Sequence, residues 1–99
     1  ILSTIYLDLK KGFSLKKIEL ILKKFYKKKQ FVKNLKKDSL ISTNDVINTN
    51  NCLISVCKTK YKNKIIILSA IDNLIKGGAG QAIQNMNIKF GFKNDEGFK

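Results

Sequence analysis

A chain of 99 residues with 43% hydrophobic content makes one domain around one modest core, too small to hold both a dinucleotide-binding domain and a catalytic domain. Its 20 basic residues, every one a lysine, face only 7 acids, yet the chain also carries 14 isoleucines and 10 asparagines; these are the residues of A- and T-rich codons, so much of the +13 charge reads as genome base composition rather than as selection for a polyanion. The longest wholly apolar stretch is 65–68, far short of the roughly 20 residues of a membrane-spanning helix, which excludes a transmembrane helix.

The chain opens Ile1-Leu2-Ser3-Thr4, with no initiator methionine and no signal-peptide pattern, and is expected to be an internal or C-terminal piece of a longer protein. Ile5, Leu7 and Leu9 alternate with Thr4, Tyr6 and Asp8, the period of a half-buried strand that stops near Gly12. Ser14 then caps a helix whose apolar stripe is Leu15, Ile18, Leu22 and Phe25, widened by Ile21 and Tyr26, with Lys16, Lys17, Lys23, Lys24, Lys27 and Lys28 on the polar face. A short strand is expected at 31–35. The stretch 36–51, dense in Ser, Thr, Asn and Asp, reads as a loop.

Residues 52–59 and 64–71 read as strands joined by a turn at 60–63. Because Ile65, Ile66, Ile67 and Leu68 load both faces with aliphatic side chains, the second of these is expected to be a central strand covered on both sides. After Asp72-Asn73, the run Lys76-Gly77-Gly78-Ala79-Gly80 leads into a helix in which Ala79, Ala82, Ile83, Met86 and Phe90 fall at helical spacing. The end, 93–99, is polar and expected to fray. The order predicts an α+β fold, helices packed on a mostly antiparallel sheet, in one domain with no internal repeat.

Chemistry is sparse. Cys52 and Cys57 lie five apart in a strand, so alternation puts them on opposite faces, where they do not pair; with no histidine in the chain they make neither a zinc site nor an activated nucleophile, and they read as buried free thiols in a reducing compartment. Between Lys10 and Lys37 lie twelve of the lysines and one acid, Glu19. Without arginine for bidentate contacts that helix reads as a solvated face, and a small basic module for nucleic acid or an acidic partner is the alternative. Seven scattered acids offer no general acid and base pair, the nearest neighbours Asp95 and Glu96 lying in the terminal stretch. The glycine-rich segment is the sharpest feature: free backbone N–H groups at a helix start beside Lys76 suit an anion or cofactor, while close helix packing explains the same glycines equally well.

The string from Ser69 to Asn87, Ser-Ala-Ile-Asp-Asn-Leu-Ile-Lys-Gly-Gly-Ala-Gly-Gln-Ala-Ile-Gln-Asn-Met-Asn, closely resembles the C-terminal segment of the N-acetyl-gamma-glutamyl-phosphate reductases, a semialdehyde dehydrogenase family. Ile1-Leu2-Ser3-Thr4-Ile5-Tyr6, Asn48-Thr49-Asn50-Asn51-Cys52 and Phe90-Gly91-Phe92 also fall where that family would put them, so the resemblance runs along the whole chain. Gly78, where the family usually shows alanine, and the loss of all arginine are departures.

The resemblance implies part of the glyceraldehyde-3-phosphate dehydrogenase-like C-terminal domain, spanning 1–99, with the helix 74–90 packing against a cofactor domain that lies upstream. It implies an NADP(H)-dependent reduction of N-acetyl-gamma-glutamyl phosphate to N-acetylglutamate semialdehyde in arginine biosynthesis, in the bacterial cytoplasm, by a homo-oligomer. The family's catalytic cysteine and histidine are not in this chain, so it holds no catalytic residue, and Cys52 is not the nucleophile. Asn73 is implied to approach the nicotinamide carboxamide, with Lys76, Gly77 and Gly78 in the same cofactor pocket. No metal, specific nucleic acid or membrane is implied.

Overall fold

A computed structural model describes residues 1–98; Lys99, the last residue of the stretch expected to fray, lies outside the described residues. Strands β1 (Leu2–Asp8), β2 (Val32–Asn34), β3 (Cys52–Lys58) and β4 (Lys64–Ile71) form one sheet in the order β1-β4-β3-β2. Helices α1 (Leu15–Phe25) and α2 (Gly80–Phe90) complete an α+β fold. β4 pairs antiparallel with both β1 and β3, and β2 alone runs parallel, to β3. No helix among the described residues is long and apolar enough to cross a membrane.

Parallel pairing of β2 with β3 explains the polar stretch between them. Two parallel neighbours need a crossover of a dozen residues or more, and 35–51 is that crossover. It is more than a loop: Ile41 and Val46 are buried, and with Leu53 and Ala70 they form the main core cluster, flanked by Leu35 and Leu68. A single 3-10 turn, Thr43–Asp45, interrupts it. Two apolar residues spaced five apart in polar surroundings have no period, which is why the sequence conceals their burial.

α1 covers the opposite face. Ser14 Oγ accepts the Lys17 amide at 3.2 Å, the cap that the sequence leads one to expect. The side chain of Asn34 donates to the carbonyl of Leu22, which ties the helix to β2. Leu15, Ile18 and Leu22 face the sheet as expected, but Phe25 is 69% exposed and Tyr26, the C-cap residue, turns inward in its place. At 100° per residue Phe25 falls on the flank of the stripe, where it packs edge-on against Tyr26 with ring centroids 4.9 Å apart.

Cover is incomplete elsewhere. β4 is central in pairing, yet only Ile65 and Ala70 are buried and the residues between them are half-buried, so the expected cover on both faces is partial. β1 is an edge strand that exposes side chains on both faces, Leu2 and Tyr6 on one, Ile5 and Leu7 on the other, with Tyr6 at 76%. The expected half-buried β1 is therefore corrected, since the helix and the crossover that cover β3 leave this edge bare.

The larger correction concerns α2. Its expected stripe, Ala79, Ala82, Met86 and Phe90, is exposed, with only Ile83 turned partly inward. The buried face carries Gly80, Gln84 and Asn87 instead. Asn87, with no exposed surface, donates through Nδ2 to the carbonyls of Asn94 (3.1 Å) and Glu96 (2.9 Å). Those bonds fold 93–98 back against the helix, and Phe98 packs on Phe31 at 5.1 Å between ring centroids, so this stretch is tied down rather than frayed.

Candidate functional site

The site indicated by the sequence lies where β4 runs out into α2. Asp72, directly after β4, organises it. Its Oδ1 accepts the amides of Leu74 (2.9 Å) and Ile75 (3.3 Å), and its Oδ2 accepts the amide of Asn48 (2.8 Å). Three backbone donors, that of Asn48 foremost, hold the Asp72 carboxyl below its ordinary value. One side chain thus starts the helical segment and clamps the end of the crossover to it.

Capping by Asp72 leaves Asn73 free of that duty. Asn73 is exposed, and its amide carries a donor and an acceptor at the surface of the turn. Its Oδ1 lies so close to Gly77 that a Cβ there would sit 2.5 Å away, and its carbonyl would meet a Cβ at Gly78 at 3.4 Å. Asn73, Gly77 and Gly78 therefore form one small surface, with the glycines keeping the space beside the amide open. The backbone here is a π-type turn, Ile75–Ala79, broken at Gly78, where the helical geometry lapses before α2 resumes at Gly80. An alanine at Gly78 would fit in ordinary contact.

Lys76 diverges from that surface. Its Nζ donates to Gln84 Oε1 at 2.7 Å and lies 5.5 Å from the centre of the Phe31 ring, and burial pushes the ammonium below its ordinary value. Gln84 Oε1 also accepts from Asn50 Nδ2 at 3.0 Å, joining crossover, turn and helix in one network. Gly80 is the glycine that serves close packing. A Cβ there would meet Asn50 Oδ1 at 2.4 Å and the Ile75 carbonyl at 2.7 Å. Close packing accounts for the buried Gly80, whereas Gly77 and Gly78 are exposed, Gly77 with the Asn73 side chain close against it.

Family model and relatives decide the affiliation. The semialdehyde dehydrogenase dimerisation domain matches residues 1–73. The chain belongs to that family. The matched segment of this dimerisation domain ends at Asn73, so the π-type turn and α2 lie beyond it. Among curated relatives, the N-acetyl-gamma-glutamyl-phosphate reductases of Clostridium botulinum (strain Eklund 17B / Type B), Brachyspira hyodysenteriae and Thermoanaerobacter pseudethanolicus are 52%, 48% and 45% identical over 98%, 98% and 96% of this chain. The chain spans 28% of the length of each.

The thiols sit on opposite faces of β3, as alternation requires. Cys52 Sγ lies 3.5 Å from Ser69 Oγ, whereas Cys57 Sγ lies 3.7 Å from Ser55 Oγ and 3.9 Å from the carbonyl of Ser39, under the crossover. Both are free and half-buried rather than fully buried. Sequence reasoning missed Asp72 as the organiser, although an Asp before an apolar helical run is a start signal. It also missed the link from Asn50 to Gln84, for which 34 residues of separation leave no local signal.

Proposed function

We propose that this chain is the C-terminal part of the catalytic and oligomerisation domain of a reductase that converts N-acetyl-gamma-glutamyl phosphate to N-acetylglutamate semialdehyde with NADPH, in arginine biosynthesis. The observation that carries the reading is the identity to reductases over nearly the whole chain. The parent acts as a homo-oligomer, in keeping with the dimerisation family, and two half-buried free thiols suit a reducing cytoplasm. The nucleophilic cysteine and the dinucleotide-binding domain lie upstream, so the 99-residue chain alone turns over no substrate.

The residues of the turn fit a nicotinamide. Asn73 presents an exposed amide relieved of capping by Asp72, and Gly77 and Gly78 leave the approach clear. A bound nicotinamide dinucleotide would supply hydride, and Asn73 would hold its carboxamide through paired donor and acceptor, fixing which ring face is presented. Gly77 keeps the Asn73 rotamer, and Lys76, tied to Gln84, acts as a positioning residue for the turn. The exposed stripe Ala79, Met86 and Phe90 is the surface that docks on the upstream cofactor domain.

The test is Asn73→Ala in the full-length enzyme. Since adenine and phosphates would anchor most of the cofactor elsewhere, NADPH binding weakens only modestly while kcat falls on the order of 100-fold, the effect of about 1 Å of misplacement. Melting temperature stays near that of the parent, because Asp72 makes the cap. Normal turnover in a folded variant removes Asn73 from the site.

A further inference from the structure

At the other end of β3 from Asn73 lies a cleft of about 530 Å³, remote from the turn that carries Asn73. Five lysines from three segments line it: Lys16 and Lys23 of α1, Lys36 and Lys37 at the start of the crossover, and Lys58 at the end of β3. The register sets its place, since Cys52 at the start of β3 pairs with Ile71 beside Asn73, whereas Lys58 pairs with Ile65. Six strand steps put the two ends about 20 Å apart.

The walls are held in place. Leu35 N donates to the Ile54 carbonyl (2.8 Å), Asp38 N to the Val56 carbonyl (3.0 Å) and Lys58 N to Asp38 Oδ1 (2.8 Å), which lays the start of the crossover along β3. From the helix side, buried Glu19 tethers Lys23 at 3.3 Å and Lys16 at 3.9 Å. Lys36, Lys37 and Lys58 have no acidic side chain at ion-pair distance among the described residues. Base composition scatters lysines over a surface. It does not gather them from three segments onto a concave wall, where like charges focus a positive potential.

We infer that this cleft binds a compact polyphosphate anion of the kind carried by a nucleoside triphosphate. Phosphate oxygens would take the ammonium donors of Lys36, Lys37 and Lys58, with Lys16 and Lys23 closing from α1. Lysine suits this task as a compact point charge with three donors, and the volume lies within the range of small-ligand sites.

Calorimetric titration of the 99-residue chain with inorganic tripolyphosphate, in about 0.15 M salt where surface charges are screened beyond about 8 Å, tests the inference. Two triple variants remove equal charge: Lys36→Gln/Lys37→Gln/Lys58→Gln within the cleft, and Lys24→Gln/Lys27→Gln/Lys28→Gln at the C-terminal end of α1 and in the turn that follows, outside it. All six side chains are exposed, so both variants keep the fold, with unchanged circular dichroism as the check. One saturable ligand per chain is expected, weakened at least about tenfold by the cleft variant and about twofold or less by the control. Adenosine triphosphate binding tighter than tripolyphosphate assigns the ligand to nucleotides, and equal affinities assign it to the phosphates alone. Absent or unsaturable binding, equal weakening in both variants, or duplex DNA outcompeting tripolyphosphate at equal phosphate concentration overturns it.

Discussion

α1 and α2 are both eleven residues long and both show apolar residues at helical spacing, yet they use them in opposite ways. α1 turns Leu15, Ile18 and Leu22 onto the sheet and its lysines to solvent. α2 turns Gly80, Gln84 and Asn87 inward and leaves Met86 and Phe90 outside, Phe90 at 63% exposure. An apolar stripe therefore does not by itself mark the side that a helix turns to its own sheet. Where the inward face is instead polar, as in α2, it is held by specific hydrogen bonds and close backbone approach, which tolerate substitution less well than an aliphatic contact.

The largest effect is expected at the start of α2, where the polar face approaches backbone. Gly80→Ala pushes a Cβ against the buried side-chain amide of Asn50, which is bonded to Gln84, and against the Ile75 carbonyl, backbone that cannot yield, and costs about 3 kcal/mol, the upper end of overpacking. Gly78→Ala, two residues earlier, stays within about 0.5 kcal/mol. Urea midpoints of the two variants measure the difference, and equal midpoints would remove the close approach as the reason for Gly80.

Stripe substitutions sharpen the contrast further. Leu22→Ser in α1 lowers the stability of the 99-residue chain by about 2 kcal/mol, the cost of losing apolar burial and wetting a packed face. Met86→Ser in α2 leaves it within about 0.5 kcal/mol, because Met86 is already solvated. In the full-length protein the same Met86→Ser becomes destabilising if that stripe docks on an upstream domain. Denaturation of both lengths decides it.

The smallest effect is on acid stability. The folded Asp72 carboxyl titrates below its ordinary value of 3.8, so its contribution is complete above pH 3.8 and fades as pH falls through the folded value. Asp72→Asn flattens that part of the stability curve measured by thermal melting between about pH 5 and 2. A curve unchanged by the substitution would show that the three amide bonds do not hold the charged form.

Much of the fold was legible because it rests on local rules. Alternation located β1, strand-type runs either side of the turn at 60–63 located β3 and β4, Ser14 and the spacing of Leu15, Ile18 and Leu22 located α1, and glycines located the approach to α2. The candidate site was legible as a string, from Asp72 to Gly80. Its division of labour was not, because whether Asp72 or Asn73 caps the turn, and whether Lys76 points out or in to Gln84, depends on side-chain directions settled by contacts with other segments, such as Asn48 and Phe31.

The sequence by itself therefore determined element types, their order and the family, since each is encoded in spacings of a few residues. Only the tertiary structure decided that β2 runs parallel to β3, and that this pairing turns the polar stretch 36–51 into a core-forming crossover through Ile41 and Val46. It alone decided that α2 buries its polar face, since Asn50 comes close to Gly80 and bonds Gln84 while Asn87 holds the terminal turn. The physical reason is common to all three. Burial is a property of which surfaces meet, and a hydrogen bond or contact between separate segments leaves no periodic trace in the chain that makes it.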